Sequence, residues 1–573
     1  MQIVSVLVSN FRSFYEAKVF FNKNLNFIIG KNNIGKTNFI DLMNIVFSHN
    51  NFDFSDFNDP KKNIHGELIL KLEDDEIGLF DDLFSPENKN QIVVDFIQNT
   101  PDDELVFQHK DTNIPVQRRR LNRINFIRYT SNRKSVKSNE LTLSKRKFLL
   151  IPNLIDKYME ENKESNNKIK IDESLLDYVN KNISYIKSFK NNNVELQISD
   201  NEQENIKRIV KLADHNGIDF SELGYGVQFA SMFTLELLDN LTRILKFNPK
   251  EKYIEKNNKK FLRVVVAIDE PELHLHPNMQ RKLIKDICNI LEGNDDDFNT
   301  LLKELFNIDA LEGQLLVVTH SPNILSSNYQ LICRAYKNNE GYTEFASGNK
   351  INFSPNEEKQ LISEIDSFKE AMFADKVILC EGQTEQTALP IFAKTLGIDL
   401  IDNNTNIVVA HGIKNVNKFI KIFEKLMIPC WAILDNDDNN RYNRKYQEFK
   451  NVVFTEEKDF ENECYEVMTL DEIINFYQEY NEFIIESKGE LKTMWYSMLS
   501  ANQQKKLREK SLKNFILELD NTEKRDLKLK AKDAFMRNNS LFKDKSTLTG
   551  ELIAKNISNV PRCYQKILKE IVE

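Results

Sequence analysis

The sequence predicts an α/β chain of two parallel-sheet units, the first interrupted by an α-helical insertion and the second extended by helices. Three observations predict this. An apolar strand, Leu25–Ile29, passes through a glycine-rich loop into a helical pattern from Lys36 onward, with Phe39, Ile40, Leu42, Met43, Val46 and Phe47 spaced for one buried face. Strand signals return at Leu262–Ile268 and Leu315–Thr319, each leading into a helix-like segment. A second alternation then begins, with strands at Lys376–Cys380, Asn406–Ala410 and Pro429–Leu434 and helices at Gln383–Leu396 and Lys414–Leu426. Strands that alternate with helices pair in parallel, because the crossover helix returns the chain to the same end of the sheet.

The N-terminal alternation Ile3, Val4, Val6, Leu7, Val8 reads as a further strand, and the chain after Asp459 reads as largely helical. The domains are placed at 1–345, with the insertion at about 145–212, a polar bridge at 346–370 and the second unit at 371–573. A length of 573 residues exceeds what one core organises. The hydrophobic share of 41% is that of an ordinary soluble protein, and no run approaches the ~20 apolar residues of a membrane span. The first residues lack the basic-then-apolar pattern of a secretory signal. Six scattered cysteines include no CxxC pair, which argues against a zinc ribbon or a disulfide framework and fits a reducing cytoplasm. The net charge of −9 speaks against a nucleic-acid partner only if charge is evenly spread. It is not: Arg118–Lys147 holds eleven Lys and Arg against the single acid Glu140, and Lys505–Lys545 is also rich in lysine and arginine. Either run alone is also consistent with a solvated face.

Gly30-Lys31-Asn32-Asn33-Ile34-Gly35-Lys36-Thr37 fits GxxxxGK[ST], in strand–loop–helix context. The amides of such a loop, from Gly30 through Asn33 and Gly35, cradle phosphate oxygens; Lys36 reaches the β- and γ-phosphates and Thr37 ligates magnesium. Val264-Val265-Val266-Ala267-Ile268-Asp269-Glu270 is an apolar strand ending in two acids, the Walker B arrangement. Asp269 is expected to hold the magnesium shell and Glu270 to polarise the attacking water. ATP is therefore the expected cofactor.

The run Asp269-Glu270-Pro271-Glu272-Leu273-His274-Leu275-His276-Pro277, the segment Glu222-Leu223-Gly224-Tyr225-Gly226-Val227-Gln228 and the later Val317-Val318-Thr319-His320-Ser321-Pro322 resemble the ABC ATPase core shared by SMC, RecF-like and OLD (overcoming lysogenisation defect) proteins. Asn10-Phe11-Arg12-Ser13-Phe14 resembles the N-terminal element of that core. The resemblance implies that Gly224, Gly226 and Gln228 form the signature that meets the nucleotide of an opposing protomer, and that His320 is the switch histidine near the γ-phosphate. A homodimer at least is then implied. His274 and His276 are read as structural rather than as zinc ligands. Tyr225 stands where the family commonly has a small residue, which puts rapid hydrolysis in doubt, and the insertion is comparatively short, which leaves the mode of multimerisation open.

In the second unit, Glu381-Gly382-Gln383-Thr384-Glu385 sits at a strand-to-helix turn, and the strand Trp431–Leu434 ends in Asp435-Asn436-Asp437-Asp438. Carboxylates converging at one sheet edge repel unless a hard cation lies between them, so Mg²⁺ or Mn²⁺ held by Glu381, Glu385, Asp435 and Asp437 is expected. Each piece alone is common, and a DND more often forms a turn; together and in this order they resemble the Toprim fold. With the ABC half before it, the chain resembles the OLD family over nearly its whole length, and within that family the nuclease subunits of Gabija anti-phage systems. That resemblance implies that Asp459 and Glu461 complete a second metal position and that Lys545 is the catalytic lysine. It also implies an ATP-regulated, metal-dependent endonuclease on double-stranded DNA, a tetramer built as a pair of dimers, and a helicase partner subunit. The alternatives are a DNA-binding ATPase clamp whose Toprim domain is structural, and a recombination or repair factor acting on DNA ends.

Overall fold

The computed structural model describes residues 1–573 except 49, 74–75, 77–79, 81–82, 84–89, 122, 131–149, 162–172, 199–209, 219–221, 224, 247–251, 274, 437–445, 447–448, 484–495, 497, 510–511, 539–546 and 573. The chain divides into two units, Met1–Asn352 and Phe353–Glu573. The stretch 346–370, expected as a polar bridge, is shared between them: it begins within the strand Thr343–Ser347 of the first unit and includes the helix Pro355–Glu364 of the second.

The strands of the first unit are β1 (Gln2–Phe11), β2 (Phe14–Phe20), β3 (Leu25–Ile29), β4 (Ile64–Lys71), β5 (Gln91–Gln98), β6 (Val106–His109) and β7 (Asn125–Thr130). They continue with β8 (Val194–Ile198), β9 (Val210–Asp214), β10 (Tyr253–Lys256), β11 (Lys259–Asp269), β12 (Ala310–Val318), β13 (Ile332–Lys337) and β14 (Thr343–Ser347). One sheet is antiparallel, in the order β2-β1-β4-β5-β6. The other runs β10-β11-β12-β3-β13-β14, with β7 also pairing with β11. Within it β7, β11, β12, β3 and β13 are parallel neighbours. Strand β11 is buried without interruption from Leu262 to Asp269, as expected of a central parallel strand covered on both faces. The helix Lys36–Phe47 buries the six apolar residues that the pattern picks out, together with Lys36 itself.

Two features depart from expectation. Sequence patterning does not single out β4–β6, whose strands complete the antiparallel sheet. The insertion is not wholly helical: the helices Leu150–Glu161, Glu173–Ile183 and Lys187–Asn191 are followed by the hairpin β8–β9. Val194, Leu196 and Ile198 recur every second residue, the period of a strand rather than of a helix.

The second unit holds β15 (Lys376–Cys380), β16 (Thr405–Val409), β17 (Cys430–Leu434) and β18 (Val452–Phe454), all parallel, in the order β16-β15-β17-β18. From β15 the chain crosses to β16 on one side, and from β17 it crosses to β18 on the other. The crevice between the carboxyl ends of β15 and β17 is thus a topological switch point, where open parallel sheets place their ligands. Beneath it, Phe392, Phe460 and Tyr564 pack as a fully buried aromatic cluster from three helices.

The helix Thr547–Asn556 lies closely on the helix Gln383–Thr395, and Thr387 Oγ1 donates to Thr547 O at 3.0 Å. Gly550 permits this approach: a Cβ there would overlap the Thr384 carbonyl oxygen and stand 2.8 Å from its carbon. Gly550→Ala is therefore expected to destabilise the second unit by about 1–3 kcal/mol, read as a lowered thermal midpoint; an unchanged midpoint would refute this close packing.

Candidate functional site

Three loops leave the carboxyl edge of the parallel sheet of the first unit. The loop after β3 carries the phosphate-binding motif, the loop after β11 carries Asp269 and Glu270, and the loop after β12 carries Thr319 and His320. The first bends through left-handed backbone at Asn33 (φ 58°) and Gly35 (φ 110°). At Gly35 a Cβ would stand 2.7 Å from Ser13 Oγ and 3.2 Å from Phe14, so the NFRSF turn packs directly behind the loop. Thr343 Oγ1 adds a tether by donating to Ile34 O at 2.6 Å.

Lys36 is curled into its own loop, donating to Gly30 O at 2.9 Å and Lys31 O at 2.6 Å. Burial pulls its ammonium down to about 8, against the opposing pull of Asp269, Glu270 and Glu272. Thr37 Oγ1 donates to Asp269 Oδ2 at 3.0 Å, while Asp269 Oδ1 is buried with no hydrogen-bond partner. Burial, with Glu270 beside it, raises the Asp269 carboxyl above its ordinary range, although Thr37 and Arg128 oppose the shift. A buried, partnerless carboxylate oxygen beside a threonine hydroxyl fits a hard cation, which would remove that penalty. Glu270 is held at φ 52° by its own amide, which donates to Val318 O at 2.8 Å. Its Oε1 lies 3.8 Å from His320 Nε2. Burial and the charge of Lys36, opposed by Asp269, hold the imidazole below its ordinary value, which favours its neutral form.

Several residues enter this site without a sequence-derived role. Arg12, itself at φ 46°, donates to Asp56 Oδ1 (2.8 Å), Asn38 Oδ1 (3.0 Å) and Asp41 Oδ2 (2.5 Å), and Asp41 also pairs with Arg128. The helix behind the phosphate loop is thereby tied to the N-terminal strands. Glu272 accepts from Thr319 and His320 across two loops. Only β11–β12 adjacency reveals that link. Of the signature residues, Gly226 lies in the first turn of the helix Tyr225–Lys246, and Gln228 is buried and donates to Leu223 O at 2.7 Å. Gly224 and His274 lie outside the described residues, and nothing is assigned to the Tyr225 side chain. His276 caps the helix Pro277–Leu291, accepting from Asn278 N at 3.4 Å, a structural role.

In the second unit Glu381 follows β15 and Asp435 follows β17, on neighbouring strands. Asp435 N points at Glu381 Oε2, 3.5 Å away, and Asp435 Oδ1 accepts from Phe460 N at 3.1 Å. Asp435 is only 6% exposed. Asn436 N donates to Thr455 Oγ1 at 2.9 Å, fixing the start of the acidic loop against the segment after β18. Glu385 is buried and accepts from Gly382 N at 3.2 Å, closing the turn that presents Glu381. Asp459 caps the helix Phe460–Val467, accepting from Asn462 N at 2.9 Å, and Glu461 is buried in its first turn.

Glu385 and Asp435 both raise the fully buried Tyr564 phenol, which desolvation already holds well above its ordinary value. Glu461, Glu463 and Glu385 likewise act on Cys464. Glu385, Asp435 and Glu461 therefore lie around one buried region. Among the described residues, no three His, Cys, Asp or Glu side chains are grouped as a metal cage. Asp437 and Lys545 lie outside the described residues. The structure brings together Glu381 and Asp435, an all-oxygen donor pair suited to Mg²⁺ or Mn²⁺ rather than to a soft metal.

A lysine held near 8 loses its charge as pH rises through that value, and bound polyphosphate would restore it. ATP binding by the whole protein is expected to weaken from pH 7 to 9 and to take up about one proton near pH 8.5, seen by calorimetry in buffers of differing ionisation enthalpy; binding indifferent to pH would refute this. For the cap, Asp459→Ala should lower stability by about 1 kcal/mol while Asp459→Asn retains it. Equal thermal midpoints for the two variants would show that the cap contributes nothing.

Comparison with known proteins agrees with this geometry. Residues 25–326 match the family model described as "AAA domain, putative AbiEii toxin, Type IV TA system", and residues 372–437 match the overcoming lysogenization defect protein-like TOPRIM domain. Endonuclease GajA of Bacillus cereus (strain HuB5-5) is 24% identical over 382 residues, covering 59% of this chain and 50% of that protein. The Old nuclease of Escherichia phage P2 is 25% identical over 260 residues, covering 44% of this chain and 38% of that protein. The chain thus matches half or less of these relatives' lengths. Among solved structures, an Smc head domain bound to the C-terminal domain of ScpA, from Pyrococcus furiosus, covers 64% of this chain and is itself covered to 99%, at 13% identity and a TM-score of 0.35. The first match spans more than half the chain, so the protein belongs to the family that this AAA-domain model describes, and behind that ATPase domain it carries an OLD-like TOPRIM domain.

Proposed function

We propose that this protein is an ATP-regulated, divalent-metal-dependent endonuclease that cuts phosphodiesters of double-stranded DNA, acting in anti-phage defence. The observation that carries the reading is the pairing of Glu381 with buried Asp435 at the switch-point edge of a parallel sheet. Asp437, two residues on, is assigned as the third carboxylate and Lys545 as the cation facing the transition-state phosphate, both from family likeness. Asp459 and Glu461 are assigned to a second metal position on the same ground. Divalent cations held by these oxygens supply an activated water and neutralise charge on the leaving 3′-oxygen. The protein's own groups orient the donors: Phe460 N fixes one oxygen of Asp435, and Gly382 N holds Glu385 at the turn beside Glu381.

In the ATPase unit, Lys36 and the amides from Gly30 to Gly35 hold the phosphates, Thr37 and Asp269 hold magnesium, and Glu270 with His320 acts at the γ-phosphate. Gly224, Gly226 and Gln228 serve the nucleotide of a second protomer, so a dimer is the minimal working unit; a pair of dimers and a helicase partner subunit complete the assembly. The tract Arg118–Lys147 and the Lys/Arg-rich stretch Lys505–Lys545 are assigned to the DNA backbone, a local attraction compatible with the net charge of −9. The second reading is a DNA-binding ATPase clamp in which the Toprim domain is structural.

Nicking of supercoiled plasmid in Mg²⁺ or Mn²⁺ separates the two readings. Wild type is expected to nick, with loss on chelation, and Glu381→Ala and Asp435→Ala to lose on the order of 100-fold or more while retaining DNA binding. Wild type that binds but does not cut, or variants that cut as well as wild type, would leave the clamp.

A further inference from the structure

The hydrolytic pair of the ATPase unit stands on a residue with no role in the chemistry described so far. Glu272 lies two residues beyond Glu270 on the loop leaving β11, and both of its carboxylate oxygens are taken by the neighbouring loop. Oε2 accepts from Thr319 Oγ1 at 2.9 Å, and Oε1 accepts from the His320 amide at 2.6 Å. The same turn is secured twice more. Ser321 N donates to Thr319 Oγ1 at 2.9 Å, and Ser321 Oγ donates to Gln280 Oε1 at 2.8 Å. Gln280 is buried and anchored through Leu275 O at 2.8 Å.

Glu270 meanwhile sits in left-handed backbone that a glutamate seldom adopts, and its amide is bound to Val318, the residue just before this turn. The two loops are thus stitched in both directions, β11 loop to β12 and β12 loop to β11. With these contacts in place the His320 imidazole stands 3.8 Å from the Glu270 carboxylate.

We infer that Glu272 is a positioning residue for nucleotide turnover, a two-oxygen clamp that holds the Thr319–His320 turn so that His320 stays beside Glu270. The inference rests on the reading of Glu270 and His320 as the hydrolytic pair. Glu272 does not contact nucleotide in this role. The carboxylate accepts on both oxygens; because the Thr319 hydroxyl can also accept, an amide at this position could keep both contacts, and Glu272→Ala is the substitution that removes the clamp.

The test uses the full chain and two readouts. Hydrogen–deuterium exchange of the peptide spanning residues 319–323 is expected to be slow in wild type and to rise about tenfold or more in Glu272→Ala, with a smaller rise in Thr319→Val, as loss of a charge-assisted hydrogen bond implies. Fluorescent ATP analogue binding should stay within about threefold of wild type, while kcat for ATP falls about tenfold with little change in KM. Thermal midpoints check that each variant folds. Unchanged exchange in folded Glu272→Ala overturns the clamp, and so does raised exchange with an unaltered kcat. Failure of wild type to turn over ATP would instead remove the hydrolytic reading, and the exchange readout would still decide whether the clamp exists.

Discussion

Strand β11 is apolar from Leu262 to Ile268 because both faces of the sheet around it are covered, and that burial drives its charge to the point where the chain leaves the sheet. Strand β15 repeats the pattern: Val377 to Cys380 are fully buried, and Glu381 follows at once. In β17 the last buried apolar residue, Leu434, is followed directly by Asp435. A covered parallel sheet admits ionised groups at its edges, and the loops at the carboxyl edge are those that turn into the next helix. The acids of both units therefore collect in a row at one edge without being neighbours in sequence.

This constraint explains how the two units perform different chemistry on the same plan. In the first, the carboxyl edge faces a glycine-bearing loop whose amides and Lys36 prepare an anion site, while Asp269 provides the opposite charge two strands away, beyond β12. In the second, the turn after β15 has no such lysine and presents Glu381 towards Asp435. One edge is thus mixed in sign and suited to a nucleotide with its cation. The other is acidic and suited to cations first, with a phosphodiester brought to them. The partnerless oxygen of Asp269 and the upward shift of its carboxyl show that even the mixed edge is electrostatically incomplete as it stands.

Much of this was legible in the sequence, and the reason is period. Strands β3, β11, β12, β15, β16 and β17 are short apolar runs bounded by glycines or acids, and the helices between them repeat at 3.6 residues, so order and site loops follow from the pattern alone. The hairpin β8–β9 was hidden because its alternation lies inside a charged segment whose neighbours are helical. Glu272 stood within a motif read in full, yet its role needed the register that places Asp269 opposite Val318 on β12. The network of Arg12, Asp41, Asp56 and Arg128 was out of reach for the same reason: its members come from four separate stretches of chain. Contacts within one turn can be read from spacing, whereas contacts between strands need their pairing.

The acids that family likeness groups together are not equivalent physically. Glu385 and Asp459 each accept from a backbone amide at the start of a helix, a position favoured by the helix dipole as well as by the hydrogen bond. Both acids are thus held in place by backbone hydrogen bonds at two helix starts. Asp435 combines burial with a backbone donor, Phe460 N, that comes from the helix Asp459 caps. Asp459 thus supports the site even without touching a metal, because the helix start it stabilises aims Phe460 N at Asp435. The same logic joins Glu385 to Glu381 through Gly382. In each case a capping acid fixes backbone beside an edge carboxylate, Glu385 within the turn that carries Glu381 and Asp459 at the helix start that directs Phe460 N to Asp435, so the acidic edge is preorganised by carboxylates acting as caps.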